Sequence, residues 1–240
     1  MKQEYLSDIE LYYTTDISKE NLNISGDEFK HITKVMRHLV GDTLHVTDGS
    51  GNYYETKITN INNTCVSASI ENRKKYENEF SNIYFCFPRL KSNSRFEFEL
   101  EKSIELGITN FIITDTERTI PKGEKLERWN KIALSAMKQS LRSYLPKIEY
   151  QKNFENINSF DGKKIVLEQK SEISFTSFIQ EEVKGNCYFL FGPEGGLSNR
   201  EIETIENVKI VSLSKNRLRA ETAVVTTASA ISIIKNTRNL

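Results

Sequence analysis

The chain has 240 residues, 38% of them hydrophobic, and its 33 basic and 33 acidic side chains give a formal net charge of zero. That length suits one large domain or two unequal ones. The charge excludes a uniformly basic, nucleic-acid-coating protein, so any RNA contact must come from a local patch.

The balance differs little along the sequence: the first 73 residues hold 7 basic and 11 acidic side chains, the remainder 26 and 22. No apolar run approaches the ~18 residues of a membrane span, and no apolar signal region follows the start, so a soluble cytoplasmic protein is expected. Cys65, Cys86 and Cys187 are far apart with no Cys-x-x-Cys spacing. They predict neither a disulfide framework nor a zinc cluster, but three buried small side chains.

In chain order, residues 1–72 read as a small β-rich unit. Thr43-Leu44-His45-Val46 and Tyr53-Tyr54-Glu55-Thr56-Lys57-Ile58 are strand runs separated by Asp48-Gly49-Ser50-Gly51, a turn. Phe29, Ile32, Val35 and Met36 recur at helical spacing and predict one helix before them. The charged residues 71–79, with Arg73-Lys74-Lys75, read as a linker. A second domain, 73–240, then follows.

Its pattern is strand, helix, strand. Ile83-Tyr84-Phe85-Cys86-Phe87 is a buried-strand run, Ser94-Arg95-Phe96-Glu97 has a capping-box spacing, and the helix it opens ends at Gly107 before the strand Asn110-Phe111-Ile112-Ile113-Thr114. An amphipathic helix is predicted over 124–144, stopped by Pro146, with further strands at 164–168, 187–191 and 208–213. Such an alternation makes an α/β domain.

Two motifs carry the chemistry. Gly192-Pro193-Glu194-Gly195-Gly196-Leu197-Ser198 puts three of the 11 glycines directly behind the apolar run Cys187-Tyr188-Phe189-Leu190-Phe191. Bare backbone of that kind turns sharply and can lie against a ligand. Ser198 and Glu201 have capping-box spacing, so a helix should start there with its amides facing the loop. The loop lacks a P-loop's lysine and hydroxyl and does not spell Gly-x-Gly-x-x-Gly, which speaks against a nucleoside triphosphate. Read by itself, it is equally a tight strand-to-helix turn. The second motif, Leu218-Arg219-Ala220-Glu221-Thr222-Ala223, lies between the run 208–213 and a last helix rich in small and β-branched residues. By themselves Arg219 and Glu221 also read as a solvated ion pair or a helix cap.

Together the motifs resemble the 16S ribosomal RNA uracil-N3 methyltransferases of the SPOUT superfamily. Matching residues run through most of the chain: His31 to Arg37, Gly41-Asp42, Asp48-Gly49, Lys102-Ser103-Ile104-Glu105-Leu106-Gly107, Glu117-Arg118, Gln139-Ser140 with Arg142 and Pro146, and the two C-terminal motifs. The chain departs at Ser214, where the family usually shows Gly, and at Lys138, where it usually shows Glu.

The resemblance implies a PUA-like RNA-binding β-barrel domain and a C-terminal α/β domain with a trefoil knot. It implies S-adenosylmethionine as cofactor, held by Leu167, Glu168, Phe191, Gly192, Gly195, Gly196, Ser212, Leu213, Asn216 and Leu218, and 16S ribosomal RNA or the small ribosomal subunit as partner. It also implies a homodimer.

Methylating N3 of a uridine means removing a proton and stabilising an imide anion. Arg219 suits the second task, because a guanidinium stays charged and can fork two hydrogen bonds; Glu221 is the candidate base, or the group that orients Arg219. Lys34, Arg37, Arg89, Lys91, Arg95 and Arg142 are candidate phosphate contacts, each equally readable as a surface charge. The three histidines have no convergent carboxylate or thiol partners in sequence, so no metal is expected. Two alternatives stay open: a non-catalytic RNA-binding adaptor with a degenerate cofactor pocket, and an enzyme that uses the glycine loop as an anion site for a small metabolite.

Overall fold

The computed structural model describes residues 8–182 and 185–238. Contacts group the chain into two units, Met1–Asn78 with Met137–Leu145, and Glu79–Ala136 with Pro146–Leu240.

The first unit is built from alternating strands. β1 (Leu11–Tyr13), β2 (Asp16–Ile17), β3 (Asn21–Ser25), β4 (Thr43–Thr47), β5 (Asn52–Ile61) and β6 (Cys65–Lys75) form one sheet in the order β1-β4-β5-β6-β3-β2. β1 runs parallel to β4 and the other neighbours are antiparallel. Leu22 with Ile24, Leu44 with Val46 and Val66 with Ala68 alternate onto one buried face and meet Ile32 and Tyr12 there, the period-2 pattern of a half-buried sheet. Cys65 is only half-buried, whereas Cys86 and Cys187 are buried, and all three are free thiols.

Three expectations change in this unit. The helix opens as α1 (Gly26–Lys30) and continues as a π-helical stretch over His31–Val35. That wider turn breaks the 3.6-residue stacking, so Ile32 is buried while Val35 and Met36 stand 65% and 45% exposed. Arg73-Lys74-Lys75 is strand, not linker, and pairs with Tyr54, Tyr53 and Asn52 of β5. The Arg73 guanidinium lies 5.6 Å from the centre of the Tyr54 ring, so aromatic faces supply what the charged run lacks in apolar side chains. Finally, residues 137–145 join the unit by backbone hydrogen bonds, Leu145 N to Gly49 O at 2.9 Å and Gly51 N to Ser143 O at 2.8 Å.

The second unit is a parallel sheet covered on both faces. β7 (Ile83–Phe87), α2 (Asn93–Glu105), β8 (Asn110–Thr114), α3 (Leu126–Gln139), β9 (Lys147–Gln151), a 3₁₀ turn (Phe154–Ser159), β10 (Lys163–Leu167), α4 (Phe175–Glu182), β11 (Cys187–Leu190), α5 (Asn199–Glu203), β12 (Val208–Val211) and α6 (Ala220–Arg238) follow in sequence. The strand order is β12-β10-β11-β7-β8-β9, parallel throughout. One core gathers Phe85, Phe87, Phe96, Phe111, Trp129 and Phe189; the other gathers Cys86, Ile112, Val166, Tyr188 and Leu190. Consecutive residues of one strand thus serve opposite faces, which explains the unbroken apolar runs.

Two helix ends differ from expectation. The N-cap of α2 is Ser92, whose hydroxyl accepts from Arg95 N, while Ser94 lies inside the first turn and bonds Ser92 Oγ at 2.8 Å. α3 stops at Gln139 because Leu141 is left-handed (φ +55°) and Arg142 N turns back to Met137 O, well before Pro146. No helix among the described residues is long and apolar enough to cross a membrane.

Candidate active site

β12, β10 and β11 are neighbours, so the segments that leave their C-terminal ends emerge side by side. These are the segments singled out in the sequence: Leu167 at the end of β10 with Glu168 after it, Phe191 to Gly196 after β11, and Ser212 to Leu218 after β12. Open parallel sheets bind ligands at this edge where the strand order changes direction. The first and third segments are tied together: Glu168 N donates to Val211 O (2.9 Å), Gln169 Nε2 to Lys215 O (3.0 Å), and Ser212 N to Ile173 O (2.8 Å). Ser214 Oγ accepts from Asn216 N at 3.1 Å and so orders the last turn before Leu218.

The glycine loop folds on its own backbone. A Cβ on Gly192 would lie 2.6 Å from both Gly196 C and Leu197 N, and Gly196 has φ +71°. A side chain on Gly192 would displace the loop, while one on Gly196 would find open space on a left-handed backbone that side chains rarely adopt. Gly196 N closes a turn onto Pro193 O at 2.8 Å. Arg118, exposed on the segment after β8, donates to Gly195 O at 2.6 Å and Leu197 O at 3.3 Å, and Lys91 N donates to Glu194 Oε1 at 3.0 Å. The capping box is present: Ser198 Oγ accepts from Glu201 N, and Glu201 Oε2 accepts from Ser198 N at 2.8 Å, while its Oε1 takes Glu117 N at 2.7 Å.

Among the described residues the amides of Gly192, Gly195, Leu213 and Leu218 make no hydrogen bond. Leu167, Leu213 and Leu218 beside them are half-buried and Phe191 is buried. An apolar wall edged by unspent main-chain donors fits a purine and its ribose better than a bare anion.

Arg219 caps α6: its carbonyl accepts from Ala223 N at 2.9 Å, and the residue is exposed. Its side chain makes no ion pair among the described residues. Glu221, 9% exposed, meets Arg95 of α2, Nε to Oε1 3.6 Å. Arg89 is 7% exposed and donates to the carbonyls of Lys122 and Gly123 at 3.0 and 3.3 Å, so its guanidinium holds the segment after β8. Lys34, Arg37 and Lys91 are exposed, and Arg95 and Arg142 half-exposed. Lys138 pairs with Glu28 at 2.5 Å within the first unit, so this departure has a structural use.

Sequence reading missed Arg118 as the clamp on the glycine loop and a groove of about 620 Å³ on the first unit, lined by Ser18, Lys19, Ser50, Tyr54 and Arg73 among others. Arg118 entered the sequence reading only as part of the family match Glu117-Arg118, and the groove has no local signal, since it arises where distant residues meet. No group of three metal-ligating side chains occurs among the described residues.

The RNA methyltransferase domain family matches residues 77–232, and the RNA methyltransferase PUA domain family matches residues 24–71. The chain belongs to the RNA methyltransferase family. This methyltransferase is 28% identical to the ribosomal RNA small subunit methyltransferase E of Bacillus subtilis, over 92% of the chain and 95% of the relative. It is 30% identical to that of Mesomycoplasma hyopneumoniae, over 66% and 73%. Among solved structures, a probable rRNA-methyltransferase from Porphyromonas gingivalis superposes with a TM-score of 0.83 at 27% identity, covering 96% of the methyltransferase and 100% of that chain. The fold is shared as well with a ribosomal RNA small subunit methyltransferase E from Neisseria gonorrhoeae bound to S-adenosyl methionine, with a TM-score of 0.84 at 24% identity over 94% and 98%.

Proposed function

We propose that the chain is a cytoplasmic, S-adenosylmethionine-dependent methyltransferase acting on N3 of a uridine in 16S ribosomal RNA. The observation that carries this reading is the set of unspent amides at Gly192, Gly195, Leu213 and Leu218 beside an exposed guanidinium at the head of α6. When bound, S-adenosylmethionine supplies an electrophilic methyl group on a positively charged sulfur. Leu167, Phe191 and Leu213 would flank its adenine, and the glycine-loop and β12-loop amides would take its polar edges.

The chain's own task is to present the imide as an anion. Uridine N3 loses its proton before or as the N–C bond forms, and the negative charge spreads onto two carbonyl oxygens. Arg219, fixed at the N-terminus of α6, faces that charge with two parallel donors in a place where the helix dipole also favours an anion. Glu221 is committed to Arg95, so it anchors the site more readily than it accepts the proton. A base within a helix would be shielded, so the target uridine lies in a loop or junction of folded RNA. Lys34, Arg37, Lys91 and Arg142, with the Lys19, Tyr54 and Arg73 groove, would contact its phosphates and unstacked bases, while Arg95 serves Glu221.

We further read the working form as a homodimer, supported by Phe98 on α2 and Ile233 on α6, 48% and 63% exposed on two helices that pack together. Calorimetry with S-adenosylmethionine and mass mapping of modified nucleosides in 16S RNA from a gene-deleted strain test the reading. Cofactor binding together with loss of one 3-methyluridine supports it; RNA binding without cofactor affinity would leave the adaptor.

A further inference from the structure

Glu99 is 1% exposed, and neither of its carboxyl oxygens has a hydrogen-bond partner. A bare carboxylate in such a place is strongly disfavoured, and a buried polar group without a partner calls for an explanation. Its neighbours sharpen the problem. Arg95, Glu99 and Ser103 recur every four residues on α2 and so share one face, and α2 packs against α6. On α6 that face meets Glu221, whose Oε1 has Arg95 at 3.6 Å but whose Oε2 is buried with no donor. Among the described residues, the charged groups acting on Glu99 are Glu221 from α6 and Glu194 from the glycine loop, while Arg95, one turn earlier on α2, pairs with Glu221. Burial first, then the charges of Glu221 and Glu194, push the Glu99 carboxyl well above the ordinary range.

A protonated carboxyl has one O–H to donate, and across the helix contact stands a carboxylate oxygen that lacks a donor. We propose that Glu99 is a neutral acid that donates its proton to Oε2 of Glu221 and thereby acts as a positioning residue for the head of α6, where Arg219 stands. Glu221 then has the Arg95 guanidinium beside one oxygen and the Glu99 O–H on the other, and all three orphaned carboxyl oxygens reduce to one. The two side chains are not hydrogen-bonded in the conformation described, so the bond requires a change of side-chain rotamer at the α2–α6 contact. The idea rests on the reading of Arg219 as the group that faces the uridine anion, but the bond itself can be tested without any methylation.

The direct test is a carbon-detected titration of glutamate carboxyls in the whole protein, with Glu99→Gln to assign the signal. Glu99 should stay protonated through neutral pH, and Glu221→Gln, which removes the like charge, should lower its pKa by about one unit or more. An ionised Glu99 at neutral pH, or a pKa indifferent to Glu221→Gln, overturns the proposal whatever the enzyme methylates.

The second arm is kinetic. Glu99→Gln keeps a donor for Glu221 and should hold kcat within about threefold of wild type, and it should abolish the fall in kcat that the wild type shows as rising pH ionises Glu99. Glu99→Leu should lower kcat at least ~10-fold with little change in KM for RNA, the scale of one lost charge-assisted hydrogen bond. Equal behaviour of the Gln and Leu variants would refute the positioning role. If Glu99→Leu fails to fold, the titration and the alkaline limb of Glu99→Gln decide.

Discussion

Arg219 stands at the one position where an exposed guanidinium, the start of a 19-residue helix and the end of the β12 segment coincide. A lysine there would keep the charge but lose the planar fork that matches an imide. Arg219→Ala should therefore cut methyl transfer at least ~100-fold, as for the loss of one oxyanion-stabilising donor, while cofactor affinity measured by calorimetry stays within about twofold. Equal loss of both would show that Arg219 holds the cofactor instead. Gly192→Ala should do the reverse. Its Cβ would meet main-chain atoms at 2.6 Å, backbone that cannot yield as a side-chain tip can, so cofactor affinity should fall about 10-fold or more while the fold's far-ultraviolet signal stays intact. Glycines of this kind are legible in a sequence because nothing else relieves the clash. Arg118 and Glu99 are not: one is an ordinary surface arginine and the other an ordinary helical glutamate until the fold brings Gly195 O and Glu221 to them.

At the scale of elements, the capping box of α5 was readable because Ser198-x-x-Glu201 is local chemistry, and the structure adds a second use for it. Glu201 spends one oxygen on Ser198 N and the other on Glu117 N, so the cap also fastens the glycine loop to the segment after β8. Ser198→Ala removes only the cap and should cost about 1 kcal/mol in denaturant unfolding. Glu201→Ala removes both links and should in addition weaken cofactor binding; if it weakens stability alone, the loop does not depend on the fastening. The misplaced starts and stops have the same origin in reverse. Ser92 and Ser94 are both cap residues by type, and the structure uses Ser92. The end of α3 is set by a left-handed Leu141, a residue type that gives no warning. β9 offers Lys147-Ile148-Glu149-Tyr150-Gln151, polar enough to pass for a loop, because it is an edge strand. Ser214 and Lys138, the two departures from the family pattern, each have partners in the structure, Asn216 N and Glu28, and so lend the adaptor little support.

At the scale of the whole molecule, zero net charge bears directly on how RNA is bound. Without a general basic field, attraction must come from a few placed cations, and each phosphate neutralised on single-stranded or looped RNA adds roughly 0.7 to the slope of log affinity against log salt. Lys34, within the π-helical stretch, and Arg37, just after it, are both exposed, and Arg37 has a left-handed backbone at φ +58°. Arg37→Ala should weaken binding of a 16S RNA fragment nearly equally for target and altered-target sequences and lower the salt slope by about one contact. Arg89→Ala, by contrast, should leave the slope unchanged and reduce thermal stability, because its guanidinium holds the carbonyls of Lys122 and Gly123. A salt slope that falls for Arg89→Ala and not for Arg37→Ala would reverse the assignment of the RNA-facing surface. Filter-binding across a salt series with both variants separates the two, and does so without depending on which uridine is methylated.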